Sequence, residues 1–184
     1  IILSIVNPQD EVLLLAPYWV SYPEIVKLAY GIPVVVVPED GTFKPRMEDI
    51  ERAVGSYTKV IIVNSPNNPS GAVYSEEFIA DILDFCERKK IYLITDDIYH
   101  KLVFDGNQAR PAFEFTHKDI ESTMVIAVNG VSKSYGMTGF RIGWTIANRK
   151  LVEVMNNIQS QTTSGTSVLL QAGAEGALTG MQSV

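Results

Sequence analysis

Short apolar runs alternate with amphipathic segments along most of the chain. The runs are rich in valine, isoleucine and leucine, which favours buried β-strands. Predicted strands lie at residues 12–15, 34–37, 60–63, 91–95, 124–128 and 141–147. Predicted helices lie at residues 1–6, 23–30, 47–54, 76–89 and 148–158, the first of these being the end of a helix. This alternation of strands and helices is typical of an α/β fold.

The polarity of the predicted elements indicates how they pack. Most strands are apolar on both faces, so we predict a three-layer fold in which helices cover both faces of a mostly parallel sheet. The helix at 76–89 begins after a capping serine, Ser75, and carries an apolar stripe that includes Cys86, so this thiol is expected to pack in the core. Ligands of such sheets bind outside the carboxyl ends of the strands. We predict a single domain over residues 1–184.

Composition restricts the class of protein. The 184 residues carry a net charge of −6, which argues against nucleic acid or an anionic membrane as the main partner. No apolar run reaches the ~20 residues of a membrane helix. The single cysteine excludes an internal disulfide and fits a reducing compartment, so we expect a cytoplasmic protein. The chain opens without methionine inside an apolar pattern, and we expect it to be a piece of a longer protein.

One stretch, residues 127–144, combines two candidate reactive groups. Lys133 follows a predicted strand in a turn rich in glycine and serine. Desolvation at such a position favours the neutral amine, which is a nucleophile toward carbonyl groups. Arg141 lies between Gly139 and Gly143, where a guanidinium can approach a phosphate without obstruction by neighbouring side chains. An amine and a phosphate clamp together indicate a cofactor that carries an aldehyde and a phosphate, namely pyridoxal 5'-phosphate (PLP).

An acidic and aromatic cluster follows the predicted strand at 91–95. Asp96 can pair with a protonated ring nitrogen, and Tyr99 can donate a hydrogen bond from its phenol to a ring oxygen. Asp97 is an alternative to Asp96, because a shift of one residue would exchange the two. The competing interpretation is that the aspartate caps the next turn and the tyrosine only packs.

Two further clusters follow other predicted strands. Asn68 lies in a turn after the strand at 60–63, where its amide can bind a ligand oxygen or simply serve the turn. Trp19 offers a flat apolar face for an aromatic ring, although Tyr18 competes for this role and either side chain can belong to the core. The histidines form no cluster with metal-ligand spacing, so we expect no metal site.

Taken together, these segments resemble the class I/II aminotransferases, which are fold type I PLP-dependent enzymes, and among them the bacterial and archaeal aspartate/aromatic aminotransferases. The resemblance runs from residue 1 to about residue 171. It rests on four motifs in the family's order: Pro17-Tyr18-Trp19, Asn68-Pro69-Ser70-Gly71, Asp96-Asp97-Ile98-Tyr99, and Ser132-Lys133 followed by Gly139-Phe140-Arg141-Ile142-Gly143.

The resemblance implies a role for each matching residue. Lys133 would hold the cofactor as a lysine aldimine and then move the substrate's α-proton. Asp96 would bind the pyridinium nitrogen, and Arg141 would bind the phosphate. Tyr99 and Asn68 would bind the ring hydroxyl oxygen, and Trp19 would stack on the ring. The protein would thereby orient the cofactor and tune its charge.

The resemblance also implies a reaction and partners. The reaction would be amino transfer between an amino acid and a 2-oxo acid, carried out by a homodimer when the protein is full length. Alternatives with the same motifs are a PLP-sensing transcription regulator and a PLP-dependent C–S lyase or synthase. Gly130 stands where many members have serine, so one phosphate contact is missing from the pattern. The family's phosphate loop and substrate-carboxylate arginine have no match here, so we expect the 184-residue piece alone to be inactive.

Overall fold

The computed structural model describes residues 1–39, 41–106 and 108–182, and in this part of the chain six strands form one sheet. The strands are β1 (Glu11–Leu15), β2 (Ile32–Val36), β3 (Thr58–Asn64), β4 (Tyr92–Asp96), β5 (Val125–Gly130) and β6 (Gly143–Ile146). Their order across the sheet is β2-β1-β3-β4-β5-β6. All neighbouring strands are parallel except β6, which is antiparallel to β5.

Helices cover both faces of this sheet. They are α1 (Ile2–Ile5), α2 (Ser21–Leu28), α3 (Met47–Ala53), α4 (Glu76–Lys89), α5 (Arg149–Thr162) and α6 (Val168–Thr179), with short 3-10 turns at Ala112–Glu114 and Thr138–Phe140. Leu13 and its neighbours on one face pack against α3 and α4, whereas Val12 and Leu14 face α1, α2 and α5. The predicted three-layer α/β fold is therefore confirmed, with a buried apolar layer on each side of the sheet.

Most predicted elements are present, with shifted ends. Helix α4 has the predicted bounds, and the Ser75 hydroxyl accepts a hydrogen bond from the Phe78 amide at 3.2 Å. Helix α2 begins at Ser21, so Pro23 lies in its first turn, where a missing amide hydrogen costs no helical bond. Strand β2 begins at Ile32 and tolerates Pro33 because it is an edge strand.

Helix α6 was not predicted from the sequence. Its small residues leave no amphipathic pattern, but they allow close packing against the turn that precedes β6. A Cβ atom on Gly173 would lie only 2.6 Å from the Phe140 ring. Small size, rather than an apolar stripe, is therefore what this contact requires.

Among the helices of the described residues, none has both the length and the apolar composition that crossing a bilayer requires. The same residues contain no group of three or more His, Cys, Asp and Glu side chains arranged to hold a metal ion.

Candidate functional site

A cavity of about 490 Å³ lies at the carboxyl ends of the central strands. Its volume falls within the ~300–1,000 Å³ of typical small-molecule sites. The cavity forms there because parallel strands bring their carboxyl ends, and the loops that follow, to the same edge of the sheet. Its lining includes all six residues selected from the sequence, which are Trp19, Asn68, Asp96, Tyr99, Lys133 and Arg141.

The cavity contains Asp96 rather than its neighbour Asp97. Asp96 is the last residue of β4, and its Oδ2 accepts a 2.6 Å hydrogen bond from the Tyr22 phenol. Its Oδ1 accepts a longer bond, 3.3 Å, from the Ile98 amide. Burial raises the pKa of Asp96 above its ordinary value, and these two hydrogen bonds oppose the rise. The carboxylate is thus held in place by two donors at the cavity wall.

Asp97 lies outside this cavity and is buried. Its carboxylate accepts a hydrogen bond from the Thr95 hydroxyl at 3.2 Å. Burial, together with the nearby charge of Asp96, raises the pKa of Asp97 to about 7. It lines a smaller cavity, about 300 Å³, with His100 and Glu114 among its neighbours. The two aspartates, which are adjacent in sequence, therefore line different cavities.

Lys133 lies in the turn between β5 and β6. Its Nζ is 5.7 Å from the centre of the Tyr99 ring, so the amine and the phenol share one part of the cavity. The expected desolvation of this lysine is wrong for the described residues, because its side chain is exposed.

Arg141 also lies in this turn, with its backbone in the left-handed region at φ 54°. One guanidinium nitrogen, Nη1, donates to the Thr138 carbonyl at 2.9 Å, which fixes the side chain relative to the turn. The side chain is exposed, and it lines the cavity. A guanidinium has further N–H groups in a fixed fork, so it can still bind an anion.

Gly130 and Gly143 have a packing role that was not inferred from the sequence. Gly130 and Gly143 are paired across β5 and β6. A Cβ atom on Gly130 would lie 2.8 Å from the Ile142 carbonyl oxygen, and one on Gly143 would lie 2.9 Å from the Asn129 carbonyl oxygen. The close approach of the two strands therefore favours glycine at both positions, and a serine at position 130 would force the β5–β6 backbone to shift.

Trp19 follows β1 and lines the cavity, with 40% of its surface exposed. Its ring meets the Tyr22 ring edge to face at a centroid distance of 5.6 Å. Tyr18, the competing candidate, packs instead against the apolar layer that contains α1, α2 and α5. Trp19 is thus the aromatic residue of this segment that a ligand can reach.

Sequence reasoning missed two other side chains of the cavity lining, Tyr22 and Asn64. Tyr22 binds the Asp96 carboxylate from 74 residues away, and no local pattern signals that contact. Asn64 ends β3, and its amide donates to the Asp96 carbonyl at 2.8 Å. A polar residue that closes an apolar strand was the signal available for Asn64.

The donor set of this cavity fits PLP. An amine can bind the aldehyde, a guanidinium can bind the phosphate, a carboxylate can pair with the ring nitrogen, and an indole can stack on the ring. A second cavity, about 590 Å³, lies beside β6, α5 and α6. Among the described residues of its lining, Glu175 has the only charged side chain. Because it offers no cation to a phosphate, that larger cavity does not fit the same ligand.

Comparisons with known proteins identify the family of the chain. The profile of the family "Aminotransferase class I and II" matches residues 1–184. The chain is 39% identical over 178 residues to a probable aspartate/prephenate aminotransferase of Thermus aquaticus, covering 96% of this chain and 45% of that protein. It is 40% identical over 177 residues to the aspartate aminotransferase of Bacillus subtilis strain 168, covering 96% and 44%.

A solved aminotransferase structure is also similar to nearly the whole chain. The aspartate aminotransferase from Rhizobium meliloti superposes with a TM-score of 0.93 at 36% identity, over 99% of this chain and 46% of that one. The chain thus spans a little under half the length of the relatives it matches. On these grounds the chain belongs to the aminotransferase class I and II family, whose members depend on PLP.

Proposed function

We propose that the protein containing this chain is a PLP-dependent aminotransferase, and that residues 1–184 are the central part of its large, PLP-binding domain. The observation that carries the proposal is the meeting of Lys133, Asp96 and Arg141 in one cavity at the strand ends. An amine, a carboxylate and a guanidinium together suit a phosphorylated aldehyde with a basic ring nitrogen. The aminotransferase names of the relatives support the same reaction.

Bound PLP supplies an aldehyde that condenses with amines and a ring that accepts electrons. Lys133 would provide the amine that binds the cofactor's aldehyde and the base that moves the proton of the substrate's α-carbon. Its exposure in the described chain leaves the Nζ accessible from the cavity. The Tyr99 ring at 5.7 Å limits the directions in which the lysine side chain can extend.

Asp96 holds the charge that keeps a ring nitrogen protonated. A carboxylate in a partly buried position stabilises a nearby cation strongly, because solvent screens the pair less there. The Tyr22 phenol and the Ile98 amide orient this carboxylate. Burial also raises the pKa of Tyr22, so its phenol stays protonated and remains a donor across the working pH range.

The remaining residues bind and orient. Arg141 holds the phosphate and is itself fixed by its bond to Thr138. Trp19 would stack on the ring, while Asn68 and Tyr99 would hydrogen-bond to the ring hydroxyl oxygen. Each of these contacts fixes the cofactor relative to Lys133, and such orientation lowers the barrier to reaction.

The substrates in this proposal are an amino acid and a 2-oxo acid. Aspartate is the first amino donor to test, because relatives are named for it. The proposed protein is a cytoplasmic homodimer, as the acidic composition and the single buried cysteine allow.

The test uses the complete protein. It is incubated with PLP, reduced with borohydride and mapped by peptide mass, and the adduct is expected on Lys133. Lys133→Ala should lower the rate of amino transfer by at least about 100-fold, since it removes both the amine and the base. Lys150→Ala, an exposed lysine of α5, is the matched control and should keep wild-type activity.

Two results would contradict the proposal. One is a wild-type adduct on a lysine other than Lys133, and the other is undiminished amino transfer by Lys133→Ala. Analysis of the products also separates this function from the alternatives. A lyase releases ammonia together with a thiol or another leaving group, and a PLP-sensing regulator binds the cofactor without turnover.

A further inference from the structure

The side chain of Asn64 connects two strand ends of the candidate site. Asn64 is the last residue of β3 and is paired with Asp96, the last residue of β4. It is 5% exposed, and both ends of its amide are bonded. Its Nδ2 donates to the Asp96 carbonyl at 2.8 Å, and its Oδ1 accepts from the Asn68 amide at 2.7 Å. One buried side chain thus joins the backbones of two residues of the cavity lining.

The turn that carries Asn68 is already held together by Asn67. The Asn67 Oδ1 accepts hydrogen bonds from the Ser70 amide at 3.1 Å and from its hydroxyl at 2.8 Å. The Gly71 amide donates to the Asn67 carbonyl at 2.8 Å. These contacts keep the turn rigid, but they do not attach it to β4. Apart from its covalent connection to β3, the turn is held in position relative to Asp96 by the hydrogen bond from the Asn68 backbone amide to the Asn64 side chain.

Few other groups in this turn can make that attachment. Pro66 and Pro69 have no amide hydrogen, and the Ser70 amide is used within the turn. The Asn67 Nδ2 donates to the Pro17 carbonyl at 2.9 Å, which ties the turn to the loop after β1 instead. The link to β4 thus passes through the Asn64 amide.

We infer that Asn64 is a positioning residue that sets the spacing between Asn68 and Asp96. This inference rests on the proposed function, in which these two side chains bind opposite parts of the cofactor ring. The position needs an amide, because one group must donate to a carbonyl while the other accepts from an N–H. A carboxylate there would set an acceptor against the Asp96 carbonyl oxygen. A leucine has nearly the same shape and lacks both bonds.

The test measures PLP binding by the complete protein. Asn64→Leu should raise the dissociation constant of PLP about tenfold, the order expected from one net hydrogen bond. The pH at which the absorption spectrum of bound PLP changes should shift in the same direction in Asn64→Leu and Asn68→Ala. A residue that only stabilises the fold would not change that spectroscopic pH profile.

A double-mutant cycle tests whether Asn64 acts through Asn68. In the Asn68→Ala background, Asn64→Leu should raise the dissociation constant only about twofold, because the spacing no longer matters once the Asn68 side chain that binds the ring oxygen is gone. Ser65→Ala is the matched control. Ser65 is the residue next to Asn64, and its hydroxyl accepts a 3.0 Å hydrogen bond from the Tyr74 backbone amide. Removing this bond should leave PLP binding unchanged.

Two results would overturn the inference. One is a dissociation constant and a pH profile for Asn64→Leu within twofold of wild type, and the other is full additivity in the double variant. If Asn64→Leu does not fold, Asn64→Asp is used in the same cycle, and it keeps the acceptor for the Asn68 amide. Failure of the proposed function can be distinguished from failure of this inference alone. If the proposed function is wrong, the wild-type protein gives no Lys133 adduct with PLP and borohydride, and the inference is then wrong as well.

Discussion

Replacing the buried Asp97 with asparagine should stabilise the protein at neutral and alkaline pH. Burial and the neighbouring Asp96 charge raise the pKa of Asp97 from its ordinary value of 3.8 to about 7. The side chain is 6% exposed, so water cannot compensate for the cost of its charge. Asparagine has the same shape, carries no charge and can still accept the hydrogen bond from Thr95.

The magnitude follows from the difference in pKa between the folded and the unfolded chain. A difference of about 3 in pKa corresponds to about 4 kcal/mol of unfolding free energy. Because the folded pKa is the higher one, this stability is fully present below pH ~4, falls as the pH rises and is lost above pH ~7. Asp97→Asn should therefore gain about 2–4 kcal/mol over wild type at pH 8 and almost nothing at pH 4.

Urea unfolding of wild type and Asp97→Asn between pH 4 and pH 8.5 measures this difference directly. The gain in unfolding free energy should grow through the range in which the folded protein ionises Asp97. Asp84→Asn removes an exposed carboxylate from α4 and serves as the control, for which the gain should stay near zero at every pH. A variant that is less stable than wild type at pH 8 would refute the reasoning, since it would mean that the Asp97 charge is compensated in the folded protein.

Three other substitutions test the site and its supports. Tyr22→Phe removes the 2.6 Å donor to Asp96 and should raise the pKa of that carboxyl further, measured by carbon NMR of labelled aspartate with Tyr18→Phe as control. Gly130→Ala should cost about 1–3 kcal/mol in urea unfolding because of the clash with the Ile142 carbonyl oxygen, whereas Gly139→Ala meets open space and should cost little; equal costs would contradict the packing argument. Burial acts to raise the pKa of Glu87, but hydrogen bonds from Lys118, Thr123 and Met124 outweigh it and lower the pKa. Glu87→Gln should therefore cost about 1–3 kcal/mol at pH 7, and the difference from wild type should disappear as the pH falls through the folded pKa of Glu87.

Local sequence patterns predicted the elements and the approximate location of the site. A run of apolar β-branched residues predicts a strand, and the polar residues that end it then lie at one edge of the sheet. This reasoning was enough to select Lys133 and to narrow the acidic residue of the site to Asp96 or Asp97. It could not decide between Asp96 and Asp97, because the choice depends on which face of the sheet each side chain occupies.

The contacts that support the site were beyond local reasoning. Tyr22 reaches Asp96 across 74 residues, and Asn64 reaches it across 32, so both contacts depend on how the crossover helices pack. The exposure of Lys133 was also not predictable, because a composition rich in glycine and serine does not reveal what covers a turn. Helix α6 was missed because small residues selected for close contact carry no amphipathic signal.

The order of the strands has a consequence for the synthesis of the protein. Parallel neighbours such as β1 and β3, or β3 and β4, can pair only after the whole segment between them, including its helices, has been synthesised. Trp19 emerges from the ribosome first, Asn68 and Asp96 follow, and Arg141 emerges last, in the turn before the antiparallel strand. A nascent chain therefore has no complete anion-binding turn until β6 is available to pair with β5. In the proposed function, the phosphate site that Arg141 provides is thus complete only in chains that have been synthesised through β6.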